Sequence, residues 1–581
     1  MLIDSRRLTG SNPWLPGLGA IIEVERPDGE AAVAAWREEV ARILTALGRD
    51  AVLGTRVHPG GAAMALTAPS DALFAATEVN ELAWFCAEAR LDGRLMPDLA
   101  QLLPGIMTIF VAEANPALRA LESASERRDL SILRDDEQIS IGLGHGSRGW
   151  PLRNLPSPDQ VEWSELHDIP VALVTGTNGK TTSVRLTAAM LAASGLRVGT
   201  SSTDGITVQE ESIAAGDYSG PAGARRVLRH PAVEAAVLES ARGGILRRGL
   251  AIDRVGAALV TNVAADHLGE FGVSSIHDLL ETKLVVATAV RPEGAIVLNA
   301  DDPFILAEAP RILSTARVRA AIVWFSLRDT HPVVLQHLEE GGRACFVEHG
   351  EFVHATREAR EHFGAVQDAP ITWDGTARHN ISNVLGAIGL ARALQVPPSA
   401  IRSALCAFAS TNDQNPGRLN RYEVNGSTFI LDFAHNPHGW RALVEVARAH
   451  PARRRAVALG QAGDRDDASI RELAQIVWTL QPELIVVKEV EAYLRGRPRG
   501  EVSRILGEEF ARLGVPADRV VSAAGEAEAL ERLLLWAGVG DLVLMPVLAE
   551  RAQVSARLAA LTSRRSEPDR PPGSAVEGEA T

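Results

Sequence analysis

The sequence predicts an α/β protein made of a small N-terminal α/β domain, a central parallel-sheet domain and a further α/β domain. Three observations predict it. Short β-branched runs alternate with helix-length segments over most of the chain, which is the rhythm of strands joined by crossover helices. Two breaks, "GLGHGSRGWPLRNLPSPD" and "STNDQNPGRLN", divide that rhythm into three bodies. A glycine turn, "VTGTNGKTT" at 174–182, joins a buried-strand run to a helical one.

Taken in order, residues 1–154 form the first body, with "GAIIEVE" and "IMTIFVAEA" expected as strands and "EAAVAAWREEVARILTALG" as a helix. Residues 155–413 form the second. There "PVALV" reads as a strand ending at Gly176, and "TTSVRLTAAMLAAS" as a helix stopped by Gly195. "AAVLES", "VGAALVTNV" and "GAIVLNADDP" continue the strand series. Residues 414–562 form the third, through "STFILDFAHNP", "RAVALGQAGD", "PELIVVKEV" and "DLVLMPVL". The segment 563–581, rich in Pro, Gly and charge, has almost nothing to bury and is expected to be a disordered tail.

Composition excludes several classes. The chain has 581 residues, too many for one core, and its net charge of −14 is spread through both signs. That balance indicates no nucleic-acid partner and argues against an anionic membrane surface. Three cysteines, Cys86, Cys345 and Cys406, lie far apart without metal-like spacing. "MLIDSRRLTGSNPW" has no apolar run behind its basic residues, and no segment has the length of a membrane helix, so a soluble cytoplasmic protein is expected.

The glycine turn carries the chemistry. Gly176, Thr177, Asn178 and Gly179 would aim backbone N–H groups and a helix N-terminus at one point, the arrangement that holds phosphate oxygens. Lys180 would bring a cation to the outer phosphates, Thr181 a hydroxyl ligand for magnesium, and Thr182 continues the turn into the helix. The general phosphate-loop spelling needs glycine where this chain has Val174, so the loop is a shortened one. A plain strand-to-helix turn with a solvated lysine is the alternative, and G-K-T-T behind a buried strand favours phosphate. Glu239 ends "AAVLE", which puts a hard oxygen at the C-terminal edge of the sheet, where magnesium would suit it; a satisfied loop carboxylate is the alternative. Asn380 and Asn383 in "ARHNISNVLGAIGLA" share one helix face and could read an adenine edge, with N-capping by Asn380 as the competitor.

The loop "TGTNGKTT" resembles that of the Mur ligases, ATP-dependent amide-forming enzymes. "LESARGGILRRGL", "TNVAADHLG", "LNADDP", "HNISN", "PGRLN", "LDFAHNP" and "GDRDD" follow in the family's order over about residues 165–550. Within that family, "GDYSGPAGARRVLRHPAVEAAVLESARGGILRRGL" and "VKEVEAYLRGRPRGE" are most similar to the Mur-like half of cyanophycin synthetases. The resemblance implies a central P-loop ATPase domain, a Rossmann-like C-terminal domain, ATP and Mg2+ as cofactors, and an acyl phosphate formed before the amide.

The resemblance also implies residue roles. His267 would hold a second magnesium, Arg418 the phosphates and Asp432 the ribose, so that ATP bridges two domains. Lys283, in "LLETKLVVATAV", would act either as a carbamate on the second magnesium or as a plain ammonium on substrate or phosphate, with a solvated helix lysine as the alternative. Asp464 and Asp466 would face a cationic amine, with solvated loop carboxylates as the alternative, and Arg242 and Lys488 the carboxylates of an acidic acceptor. The implied substrates are an amino acid, arginine in the cyanophycin case, and an aspartyl side chain. A polyglutamate-type ligase, a P-loop ATPase switch and a non-catalytic nucleotide-binding subunit are the alternatives.

"RRLTGSNPW" is similar to the opening of the cyanophycin synthetase N-terminal domain, yet only a short linker separates the first body from the phosphate loop. That leaves no room for an ATP-grasp domain there. The expectation is a small isopeptide product or work beside a separate ATP-grasp enzyme, and a homo-oligomer is compatible with either.

Overall fold

A computed structural model describes residues 1–266 and 268–563, which fall into two compact units. The first comprises residues 1–369 and 379–407, and the second 370–378 and 408 onward. His267 and the expected tail beyond Ser563 lie outside the described residues. Among the described residues, no helix is long and apolar enough to cross a membrane.

The first unit opens with an antiparallel sheet in the order Leu2–Leu8, Gly19–Glu25, Gly61–Thr67, Leu53–His58. Helices Gly29–Leu47 and Leu73–Leu91 share a core with it around Trp36 and Trp84. The first helix starts where the Asp28 side chain accepts from the Ala31 N–H at 2.9 Å and stops at Gly48, whose φ of 62° suits glycine.

One expectation fails here. "IMTIFVAEA", expected as a strand, belongs to the helix Leu99–Glu113. Its buried residues, Ile106 and Phe110, are four apart, and Asp98 caps the helix by accepting from the Ala100 N–H at 3.0 Å. A short apolar run suits a buried strand and a helix alike, and here the upstream cap decides.

The large sheet of this unit has eleven strands among the described residues. Seven run parallel, in the spatial order Val198–Ser202, Ala235–Glu239, Val171–Thr175, Val255–Val260, Val290–Asn299, Ala321–Ser326, Arg343–Glu348. Antiparallel strands finish both edges. Val171–Thr175 and Ala235–Glu239 are buried at every residue, as expected of strands covered on both faces. Because Val171–Thr175 lies between Ala235–Glu239 and Val255–Val260, the three C-terminal ends open on one edge.

The second unit holds a six-stranded sheet in the order Asn420–Val424, Ser427–Asp432, Leu542–Pro546, Arg455–Leu459, Leu484–Lys488, Val520–Ala523. All neighbours are parallel except the first pair. Apolar clusters around Trp440 and around Phe429 cover its two faces, giving the layered architecture expected of a Rossmann-like domain.

Candidate active site

The phosphate-loop segment leaves the strand Val171–Thr175 and enters the helix Lys180–Ala193. Two glycines make the turn feasible. At Gly176, φ is 147° and a Cβ would lie 1.9 Å from Thr261 Oγ1; at Gly179, φ is 84° and a Cβ would lie 2.2 Å from Asn383 Oδ1. Any side chain at either position would push the loop off its support.

That support comes from the end of the next strand. Asn262 accepts from the Asn178 N–H through Oδ1 at 2.9 Å and donates Nδ2 to the Asn178 carbonyl at 2.9 Å. Thr261 Oγ1 donates to the same carbonyl at 2.6 Å, and the Thr177 N–H donates to the Asn262 carbonyl at 2.9 Å. A further layer holds the holders: Asn299 Nδ2 donates to the Thr261 carbonyl at 2.9 Å, and Asp302 accepts from the Val263 N–H at 2.7 Å. Thr261, Asn262, Asn299 and Asp302 were not singled out from sequence. The only local sign is that polar residues end the buried runs in "TNV" and "LNADDP", and it does not say which loop they support.

Lys180 Nζ donates to the Thr177 carbonyl at 3.1 Å and lies 4.0 Å from Glu239 Oε1. Thr181 Oγ1 donates to Glu239 Oε2 at 2.8 Å, and Thr203 Oγ1 lies 3.2 Å from Thr181 Oγ1. Glu239 is buried. A hydroxyl and a carboxylate converging beside a lysine are the hard-oxygen donors that suit a magnesium ion next to phosphate. The structure thus brings the loop, Lys180, Thr181 and Glu239 to one edge.

Lys283 lies on the helix Ile276–Thr288 and is buried. Burial, then the charge of Lys180, holds its ammonium well below the usual lysine range, while Asp266 and Glu239 act the other way. Arg242, which opens the helix Arg242–Arg248, is ion-paired with Glu270. Asn380 and Asn383 are both buried, and Asn383 Nδ2 donates to Asn380 Oδ1 at 3.2 Å. The helix begins at Arg378, so Asn380 sits inside the first turn, and Asn383 lies against the loop at Gly179.

In the second unit, Asp432 ends the strand Ser427–Asp432 and accepts from the Leu419 N–H at 2.9 Å. Burial raises its carboxyl pKa, and Arg418 opposes that rise. The Arg418 guanidinium lies over the Phe433 ring, 4.5 Å from its centroid. Asp464 is ion-paired with Arg495, while Asp466 caps the helix Asp467–Trp478 by accepting from the Ser469 N–H at 2.7 Å. Lys488 corrects the sequence reading. It is fully buried, its Nζ 2.5 Å from both Glu526 Oε1 and the Pro546 carbonyl, so its charge is committed inside the domain and not offered to a substrate carboxylate.

A shortened phosphate loop between a buried parallel strand and a helix, with a neighbouring strand's carboxylate behind it, defines a P-loop protein of the parallel-sheet α/β class. Residues 174–391 match the Mur ligase middle domain, and residues 417–546 match the glutamate ligase domain of Mur ligases. The chain belongs to the Mur ligase family.

Cyanophycin synthetase from Synechocystis sp. is 38% identical over 343 residues, covering 58% of this chain and 38% of that protein. The UDP-N-acetylmuramoyl-L-alanyl-D-glutamate–2,6-diaminopimelate ligase of Pseudomonas aeruginosa is 26% identical over 387 residues, covering 64% of this chain and 71% of that one. A solved bifunctional folylpolyglutamate synthase/dihydrofolate synthase is 18% identical, covers 68% of this chain and 89% of its own, and has a TM-score of 0.48. The chain spans 38% to 45% of the length of the cyanophycin synthetases it matches.

Proposed function

We propose that this chain is an ATP-dependent amide ligase that joins an amino acid, arginine in the first instance, to an acidic carboxylate such as an aspartyl side chain. The observation that carries the reading is the convergence of Lys180, Thr181 and Glu239 on one edge, under a loop whose backbone is fixed by Thr261 and Asn262.

A carboxylate does not condense with an amine at neutral pH, so it must first be activated. An acceptor carboxylate oxygen attacks the terminal phosphorus of ATP, the bond to the bridging oxygen breaks, and ADP leaves. The amine lone pair then attacks the acyl carbon, the bond to phosphate breaks, and the amine loses a proton as the amide forms. Lys180 neutralises charge on the transferring group, and the loop N–H groups hold the remaining phosphate oxygens. Thr181 and Glu239 would hold a magnesium ion, which shields charge on the phosphates when bound. His267 is proposed as a ligand of a second ion.

The burial of Lys283 favours its neutral amine, the form that can take up carbon dioxide as a carbamate, over a plain ammonium. Asn380 and Asn383 are proposed for the adenine, Arg418 and Asp432 for phosphate and ribose, Arg242 for the acceptor, and Asp464 for the amine. Kinship at 38% identity with a protein named cyanophycin synthetase supports arginine and an aspartyl carboxylate as the first substrates to supply.

The test is phosphate release across a matrix of amino acids and short acidic peptides, with mass spectrometry of the products. A ligase releases phosphate when acid and amine are both present and yields their amide. Release without them would replace this reading with a nucleotide switch, and no release would leave a binding module.

A further inference from the structure

The N-terminal sheet domain is fastened to the two helices that carry Arg242 and Lys283. Arg6, on the first strand, is 7% exposed, and its Nε donates to the Leu246 carbonyl of the helix Arg242–Arg248 at 3.1 Å. Its other nitrogens are held by Asp4 at 2.5 Å and Glu23 at 3.0 Å, and its cation lies 5.5 Å from the Trp14 ring centroid and 5.0 Å from that of Phe271. The guanidinium is therefore fixed from both sides, so that helix inherits a fixed reference from the N-terminal domain.

Two backbone bonds extend the grip. The Thr9 N–H donates to the Arg248 carbonyl at 2.7 Å, and the Leu250 N–H donates to the Ser11 carbonyl at 2.9 Å. The two strands of chain approach so closely that a Cβ on Gly10 would sit 1.8 Å from the Leu250 carbonyl oxygen. A second grip falls on the other helix: Arg56 Nη2 donates to Glu281 Oε2 at 2.9 Å, two residues before Lys283.

We infer that the N-terminal domain braces the acceptor side of the ligation site, with Arg6 and Arg56 as positioning residues that hold the Arg242 and Lys283 helices in register with the phosphate loop. The inference rests on the ligase reading for its functional consequence, and on the hydrogen bonds above for its structural one. The phosphate loop itself is clamped by Thr261 and Asn262, residues that take no part in the hydrogen bonds just described. Loosening the brace therefore disturbs acceptor geometry and leaves nucleotide binding alone.

The test uses the full chain and three variants, Arg6→Met, Arg6→Lys and Arg56→Gln. Expected are a rise of roughly tenfold in KM for an aspartyl peptide, an unchanged KM for ATP, and partial recovery in Arg6→Lys. Hydrogen exchange is expected to quicken at residues 242–248 in Arg6→Met and at 276–288 in Arg56→Gln. Arg56→Gln removes a partly exposed pair and keeps the test available if Arg6→Met fails to fold. Equal changes in both KM values, or an unchanged acceptor KM in folded variants, would overturn the inference. Should the wild type ligate nothing, the functional proposal falls, and exchange at the two helices still decides the brace: unchanged exchange overturns it.

Discussion

At the scale of single residues, charge placement separates side chains that act from side chains that fold the chain. Lys180 is partly exposed beside a buried carboxylate, so Lys180→Ala is expected to keep its melting temperature and lose at least about a hundredfold in kcat/KM. A folded variant with near-normal turnover would remove the loop lysine from the mechanism. His354 is the opposite kind of residue. Burial is the main cause that lowers its pKa from 6.5 to about 4, and Arg392 and Arg343 add to it, whereas Glu361 opposes the shift. Between those two values the unfolded chain binds the proton that the folded chain refuses, so stability is complete above pH 6.5 and falls as pH drops toward 4. The slope in that window is at most about 1.4 kcal/mol per pH unit from this group. Urea melts at a series of pH values read it directly, and His354→Gln is expected to flatten the slope; an equally steep acid loss in the variant would assign the sensitivity elsewhere.

At the scale of elements, one guanidinium gathers several bonds between the loops at the sheet edge of the second unit. Arg497 donates to the Gly463 carbonyl at 2.7 Å, the Arg465 carbonyl at 2.7 Å, Asp467 at 2.8 Å and Glu501 at 3.0 Å. It ties the segment that carries Asp464 to the one that carries Arg495. Arg497→Met is expected to quicken hydrogen exchange across 463–467 and 494–501 and to raise the KM of the amine roughly tenfold, with the KM of the acidic acceptor unchanged. Equal effects on both substrates would show that these loops do not face the amine. The elements themselves differ in how far the sequence disclosed them. The central parallel strands were legible because their cores are buried and read as short apolar runs with Val at the ends, as in "VALV" and "VGAALV". "IMTIFVAEA" was misread because its run is equally apolar, and only the Asp98 cap upstream distinguishes helix from strand. Within the candidate site, the loop and Glu239 were legible from their place after buried strands. The Thr261–Asn262 clamp was not, because it depends on which strand neighbours which, a property of topology and not of local spacing. The burial of Lys488 escaped for the same reason, since Glu526 is far away in sequence.

At the scale of the whole molecule, the question is how many times one acceptor can react. Extending an aspartate backbone and decorating its side chains require activating two carboxylates that stand in different positions relative to the growing end, and each activation needs phosphate and acceptor held in line. The chain as it stands has one phosphate loop, at 174–182, and the described residues show one edge at which its lysine, hydroxyl and carboxylate converge. The linker expected between the first body and that loop is short. This chain, given ATP, magnesium, arginine and an acidic peptide, is therefore expected to form one amide per acceptor carboxylate and not to lengthen the peptide backbone. A one-site polymerase escapes the limit only if each round renews an equivalent side-chain carboxylate, as repeated addition of an acidic amino acid would. Size analysis of the products over time separates the two cases. A ladder growing from this protein alone, with an acidic amino acid as the amine, would overturn single addition, whereas backbone growth that begins only when an ATP-grasp ligase is added would support it.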